Sequence, residues 1–138
     1  MTKILITGAN GQLGSELRNL LDECGVAYDA FDSNQMDITD QAVVNEKISA
    51  IKPEVIYHCA AYTAVDNAED VAKDLNWQVN ADGTRNVADA AKKVGAKMVY
   101  ISTDYVFDGT NKGEYEVDAP TNPRNVSRAV LNCHFIAV

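Results

Sequence analysis

Three glycines spaced three apart, in Gly8-Ala9-Asn10-Gly11-Gln12-Leu13-Gly14, follow directly on an apolar run and open a helical pattern. Each can serve a pyrophosphate. The first permits a tight turn, the second lets backbone approach the phosphates, and the third allows close helix–strand packing, while free N–H groups at the positive helix end attract the anion. A glycine triplet alone often marks only a turn; the strand–loop–helix context gives it meaning. Asn10, Gln12 and Leu13 share the loop and first turn and join the three glycines as cofactor-binding candidates. Further along, Asp32 follows the second apolar run, with no Arg or Lys close behind it. A carboxylate there accepts from ribose hydroxyls and repels a 2′-phosphate, which leans toward NAD(H). The competing reading is a turn aspartate, since Asp29, Asp32 and Ser33 all suit turns. Asp37-Ile38 stands where it could touch adenine, although Asp37 could equally cap a helix.

Positioning these residues requires a scaffold, and four apolar runs supply it: Ile4–Thr7, Val26–Phe31, Val55–Cys59 and Met98–Ser102. Each is followed by a helical pattern, a βαβα rhythm that predicts a parallel sheet with helices on both faces. Leu13, Leu17, Leu20 and Leu21 recur at helical spacing, and Gly25 stops that helix. A second helix is expected from Asp40 to Ile51, with Thr39 as its N-cap and Pro53 closing its exit. Ala68–Val94 reads as one helical stretch with a tolerated or bending Gly83, ended by Gly95. Asp108–Arg124 is loop-rich. The fold class is α/β, a doubly wound Rossmann-type parallel sheet. It is incomplete, because about six strands are usual and four are readable, in an expected order 3-2-1-4. Strand 4 is then an uncovered apolar edge, which predicts self-association or poor solubility.

The 138 residues carry a formal charge of −8, with 46% hydrophobic and 23% charged residues, as an ordinary folded domain does. Scarce Lys and Arg clusters argue against a nucleic-acid or anionic-membrane partner. Cys24, Cys59 and Cys133 contain no C-x-x-C pair, so neither a disulfide framework nor a metal site is expected and a reducing cytoplasm fits. No signal-peptide pattern or membrane-length apolar run is present.

Several blocks together resemble one known family. They are Gly8–Gly14, Asp37-Ile38-Thr39-Asp40, Cys59-Ala60-Ala61-Tyr62-Thr63-Ala64-Val65-Asp66-Asn67-Ala68-Glu69, and Ser102-Thr103-Asp104-Tyr105-Val106-Phe107-Asp108-Gly109. The chain is similar over about residues 3–126 to the N-terminal half of the dTDP-4-dehydrorhamnose reductases, extended short-chain dehydrogenases/reductases. This resemblance implies reduction of the 4-keto group of dTDP-4-dehydro-L-rhamnose by NADPH or NADH, and the family's use of both softens the inference from Asp32. It implies that Ala60, Ala61 and Tyr62 line the cofactor. Thr103 matches the catalytic Ser/Thr whose hydroxyl steadies charge on the substrate oxygen, and Asp104 would contact the dTDP-sugar. Asn80 matches an Asn that braces a helix against the neighbouring strand. His58 stands where Asn is more usual and reads as a hydrogen-bonded core histidine; Trp77 reads as packing.

The resemblance also implies a Tyr-x-x-x-Lys pair, with tyrosine donating the proton and lysine lowering its pKa. After Asn122-Pro123-Arg124-Asn125-Val126, where the family continues Tyr-Gly, this chain has Ser127-Arg128-Ala129, and none of its tyrosines has Lys four residues later. The expected division is therefore a partial NAD(P)-binding domain over 1–126 and a divergent tail over 127–138, as a frameshift or early stop would give, with turnover and dTDP-sugar binding weak or lost. Two other readings stay open: a non-catalytic dinucleotide-binding subunit resembling the regulatory β subunit of methionine adenosyltransferase, and another nucleotide-sugar reductase or epimerase.

Overall fold

A computed structural model describes residues 2–63, 73–102, 106–116 and 118–122. Four parallel strands, β1 (Ile4–Thr7), β2 (Tyr28–Phe31), β3 (Val55–His58) and β4 (Lys97–Tyr100), form one sheet. Helix α1 (Gln12–Glu23) joins β1 to β2, and α2 (Gln41–Ile51) joins β2 to β3. Between β3 and β4 lie α3 (Lys73–Trp77), a π-helical turn over Gln78–Gly83 and α4 (Thr84–Val94). The strands fall within the expected runs to within a residue or two. Thr103, Asp104, residues 64–69 of the Cys59–Glu69 block and the whole of 127–138 lie outside the described residues.

The strand order is β2-β1-β3-β4, which corrects the expected 3-2-1-4. The third strand pairs with β1, Ile4 opposite Val55 and Thr7 opposite His58, instead of lying beyond β2. Right-handedness fixes the face a crossover helix covers once its direction is known, but it does not choose the direction. Here the chain reverses after β2. Its second crossover therefore places α2 on the opposite face from α1, where α2 packs against α4. One core results, built from Leu5 and Ile56 of the sheet, Val44 and Ile48 of α2, Val87, Ala90 and Ala91 of α4, and Met36 and Ile38 of the segment after β2.

The other face is thinly covered. Leu13 and Leu20 of α1 are 46% and 55% exposed, so the leucine stripe does not seat fully on the sheet. Val99 of β4, Ile101 just beyond it and Trp77 are exposed as well, which corrects the reading of Trp77 as a packed residue.

Local chemistry explains the element ends. Gly25 and Gly95 both take left-handed backbone, with φ of 65° and 74°. At each, paired bonds recapture the last carbonyls: Val26 N–H to Leu21 O and Gly25 N–H to Asp22 O, then Ala96 N–H to Ala91 O and Gly95 N–H to Lys92 O. The cap of α2 is Asp40, one residue later than expected, whose Oδ1 accepts from the N–H groups of Ala42 and Val43 at 2.9 and 3.2 Å. Thr39 instead donates to Asp37 Oδ1, so Asp37 organises the loop and does not cap the helix.

Candidate functional site

The chain turns tightly as β1 ends. Gly8 has φ of 67°, and a Cβ there would lie 2.5 Å from Ala60 N, so the loop can rest on the end of β3 only without a side chain. A Cβ on Gly14 would collide with the carbonyl oxygen of Gly8, and Gly14 is buried at that contact. Gly11 donates its N–H to Gly8 O at 3.0 Å and starts α1 as its N-cap, with no side chain capping the first turn. The first helical N–H groups therefore point forward without side-chain partners, as an anion site requires.

Beside this turn is a cleft of about 350 Å³, lined among others by Gly8, Asn10, Gly11, Asp32, Ala60 and Ala61. It opens at the carboxyl ends of β1, β2 and β3. After β1 the chain turns toward β2, whereas after β3 it turns toward β4. The crevice between these strands is the topological switch point at which open α/β sheets hold ligands. Asp37 and Ile38 line it too, with Met36, Ser33, Cys59 and Val79, which the sequence did not single out. Gln12 and Leu13 are exposed at the helix start, Gly14 lies in the packing contact, and Tyr62 is held outside the lining.

Three polar networks hold the walls. Asp32 Oδ1 accepts from the backbone N–H groups of Asn34 and Gln35 at 2.9 and 3.1 Å, and Oδ2 accepts from Asn10 Nδ2 at 2.6 Å. Asp32 is thus a turn aspartate that also lines the cleft. Asn10 Oδ1 in turn accepts from Arg18 Nη1 of α1 at 3.2 Å, and Arg18 also donates to Ala9 O at 3.2 Å.

On the opposite wall, Asn80 clamps the segment that leaves β3. Its Oδ1 accepts from Tyr62 N–H at 2.7 Å, and its Nδ2 donates to Tyr62 O at 2.9 Å and to Asn76 Oδ1 at 2.6 Å. The π turn carries Asn80, and its wider winding ends at Gly83, where a Cβ would meet the Ile38 side chain at 2.7 Å. Beneath the loop, the buried His58 spans Thr7 Oγ1 at 2.7 Å and Thr84 Oγ1 at 3.1 Å. Desolvation lowers its pKa to about 4, so the ring is neutral at pH 7. Burial pushes the Cys59 thiol up, which leaves it a poor nucleophile.

Farther along, Asp108 ties the segment after β4. Hydrogen bonds from the Thr110 hydroxyl at 2.7 Å and the Thr110 N–H at 3.0 Å lead the causes that bring its pKa to about 2. The rings of Phe107 and Tyr115 stack at 4.2 Å beside it.

A glycine cradle that any Cβ would fill, unpaired helix N–H groups and a cleft at the switch point together fit a dinucleotide pyrophosphate. The class is an α/β domain of Rossmann type. Residues 1–129 match the family model described as the RmlD substrate binding domain. A dTDP-4-dehydrorhamnose reductase of Streptomyces griseus is 46% identical over 122 residues, 88% of this chain and 40% of the relative. A dTDP-4-keto-6-deoxy-D-glucose reductase of Streptomyces niveus is 36% identical, covering 88% of this chain and 42% of that one. Among solved structures, the dTDP-4-dehydrorhamnose reductase of Bacillus anthracis str. Ames in complex with NADP superposes with a TM-score of 0.89 at 44% identity, over 95% of this chain and 46% of that one. The chain belongs to the RmlD family, that of the dTDP-4-dehydrorhamnose reductases, and spans less than half the length of these relatives.

Proposed function

We propose that this chain is the cofactor-binding portion of a cytoplasmic dTDP-4-dehydrorhamnose reductase and holds NADPH or NADH in the cleft beside Gly8. The observation that carries this reading is the fit of Gly8 against Ala60, which leaves backbone alone at the turn where phosphates must approach. The pyrophosphate sits on the first turn of α1, and Asp32, Asp37 and Ile38 face the adenosine end. Ala60 and Ala61 present a low wall to the nicotinamide ribose, and Asn80 fixes the Tyr62 backbone next to it. These residues would hold NADPH or NADH, which in an enzyme completed by the Tyr/Lys pair would supply hydride for the 4-keto carbon of dTDP-4-dehydro-L-rhamnose. Thr103 steadies the substrate oxygen and Asp104 contacts the sugar.

The 138 residues contain no tyrosine with Lys four positions later, so they offer no such pair to protonate the new alkoxide. Cofactor binding without turnover is the expected behaviour. Titrating NADP+ and NAD+ against the fluorescence of the single tryptophan, with thermal shift in parallel, tests the first half. Following NADPH oxidation with dTDP-4-dehydro-L-rhamnose tests the second, and steady substrate-dependent oxidation would refute it. The Streptomyces niveus relative favours a second reading, a reductase of a different dTDP-4-keto sugar, which the same assay with that sugar distinguishes. The side of β4 that no other described strand pairs with also supports the expected self-association.

A further inference from the structure

We propose that Arg18 is the residue through which this chain accepts the 2′-phosphate of NADP(H), with Asn10 as a removable spacer between it and Asp32. The inference rests on the reading of the cleft as a dinucleotide site and extends it to cofactor choice.

An uncommitted carboxylate at the end of β2 would repel a 2′-phosphate. Asp32 is not uncommitted. Both oxygens already accept hydrogen bonds, two from backbone N–H groups and one from Asn10, so its charge is partly compensated before any ligand arrives. Behind Asn10 stands a guanidinium that makes no ion pair among the described residues. Its Nη1 is held by Ala9 O and Asn10 Oδ1, and its Nε is buried without a partner. Asn10 lines the cleft and Arg18 does not. One amide therefore separates a cation with no counterion among the described residues from the place where a ribose 2′-substituent would meet Asp32. A 2′-hydroxyl can share Asp32 with Asn10 in place. A 2′-phosphate cannot accept from Asp32, but it can accept from Asn10 Nδ2 and, once that amide turns, from the guanidinium, whose planar donor set suits phosphate.

The test compares dissociation constants for NADP+ and NAD+ in the full chain by calorimetry, for wild type, Arg18→Gln and Arg18→Lys. Gln keeps a donor for Ala9 O and Asn10 but removes the charge; Lys restores charge. Arg18→Gln is expected to weaken NADP+ by about tenfold or more, the scale of one charge-assisted bond to phosphate, and NAD+ by less than about twofold. Arg18→Lys should recover most of the NADP+ affinity. An NADP+ to NAD+ ratio unchanged in Arg18→Gln would overturn the assignment while leaving the cofactor site intact. Loss of both ligands equally would make Arg18 a support of the loop alone and also overturn it. Absence of dinucleotide binding by the wild-type chain would overturn the cofactor reading and this inference together.

Discussion

His58 Nδ1 lies 2.7 Å from Thr7 Oγ1, and that same hydroxyl oxygen accepts the N–H of Ala60 at 3.3 Å. One buried imidazole thereby ties the last residue of β1 to the segment leaving β3, directly under Gly8, and its far nitrogen reaches Thr84 at the start of α4. The arrangement favours the neutral ring with its proton on Nε2. Thr7 then donates to Nδ1 while accepting from Ala60, and Nε2–H donates to Thr84. A second ring proton would turn Thr7 into an acceptor twice over and strand its own hydroxyl proton in the core.

Stability should consequently depend on pH through this residue. In the unfolded chain the ring takes a proton near its ordinary value of 6.5, whereas in the folded chain it does so only near 4. The unfolded state therefore binds more protons between these values, and stability rises with pH across that window. The contribution is complete above about pH 6.5 and is lost as pH falls to about 4, amounting to about 3 kcal/mol at most. Urea unfolding at closely spaced pH values, in wild type and His58→Asn, isolates it from the carboxylates common to both. Equal pH slopes in the two proteins would exclude the assignment.

Gly8→Ala should damage both fold and site. A side chain at φ of 67° is strained by about 1–2 kcal/mol, and its Cβ would press on the backbone of Cys59 and Ala60. Denaturant unfolding is expected to show a loss of about 2 kcal/mol or more, and dinucleotide binding should vanish even under conditions where the variant is folded. Gly25→Ala is the control, since a Cβ there meets nothing within 4 Å and only the backbone term remains. Retained affinity in Gly8→Ala would show that the close approach is not needed.

The glycine loop, the strands and the helix-ending glycines were legible because each reflects a local demand: backbone space, an apolar run, a left-handed turn. The strand order was not. It depends on whether α2 finds its partner on α4 or beside α1, a choice settled by the burial of Met36, Ile38, Val44 and Ile48 together. Arg18 was missed for a similar reason. No Arg or Lys follows closely on Asp32, while the cation that stands behind Asn10 comes from α1, fourteen residues earlier in the chain. The π turn has no mark in sequence beyond Gly83, whose contact with Ile38 joins distant segments.

Asp40→Ala tests the cap that the sequence placed one residue too early. The carboxylate satisfies two first-turn N–H groups of α2 and carries negative charge at the positive helix end. Its loss should cost about 1 kcal/mol of stability, whereas Thr39→Ala, which removes a hydroxyl bonded only to Asp37, should cost less. Thermal and denaturant unfolding of the two variants ranks them, and the reverse ranking would return the cap to Thr39.

The uncovered side of the sheet leads to a prediction about assembly. Beyond β4 no strand completes the ladder among the described residues, and Val99 and Ile101, 40% and 49% exposed, project from the face that α1 leaves open. An apolar strand with free N–H and C=O groups is a template for another chain, and Lys97 is the only charged residue of β4 to oppose it. Average mass by light scattering should therefore rise with concentration. Val99→Lys places a charge where a second sheet or strand would seat, and should lower the mass toward that of one chain without altering the buried core on the other face. Wild-type protein that stays monomeric at the highest attainable concentration would show that the edge is already protected. A Val99→Lys variant that associates as strongly as wild type would move the contact to the exposed leucines of α1.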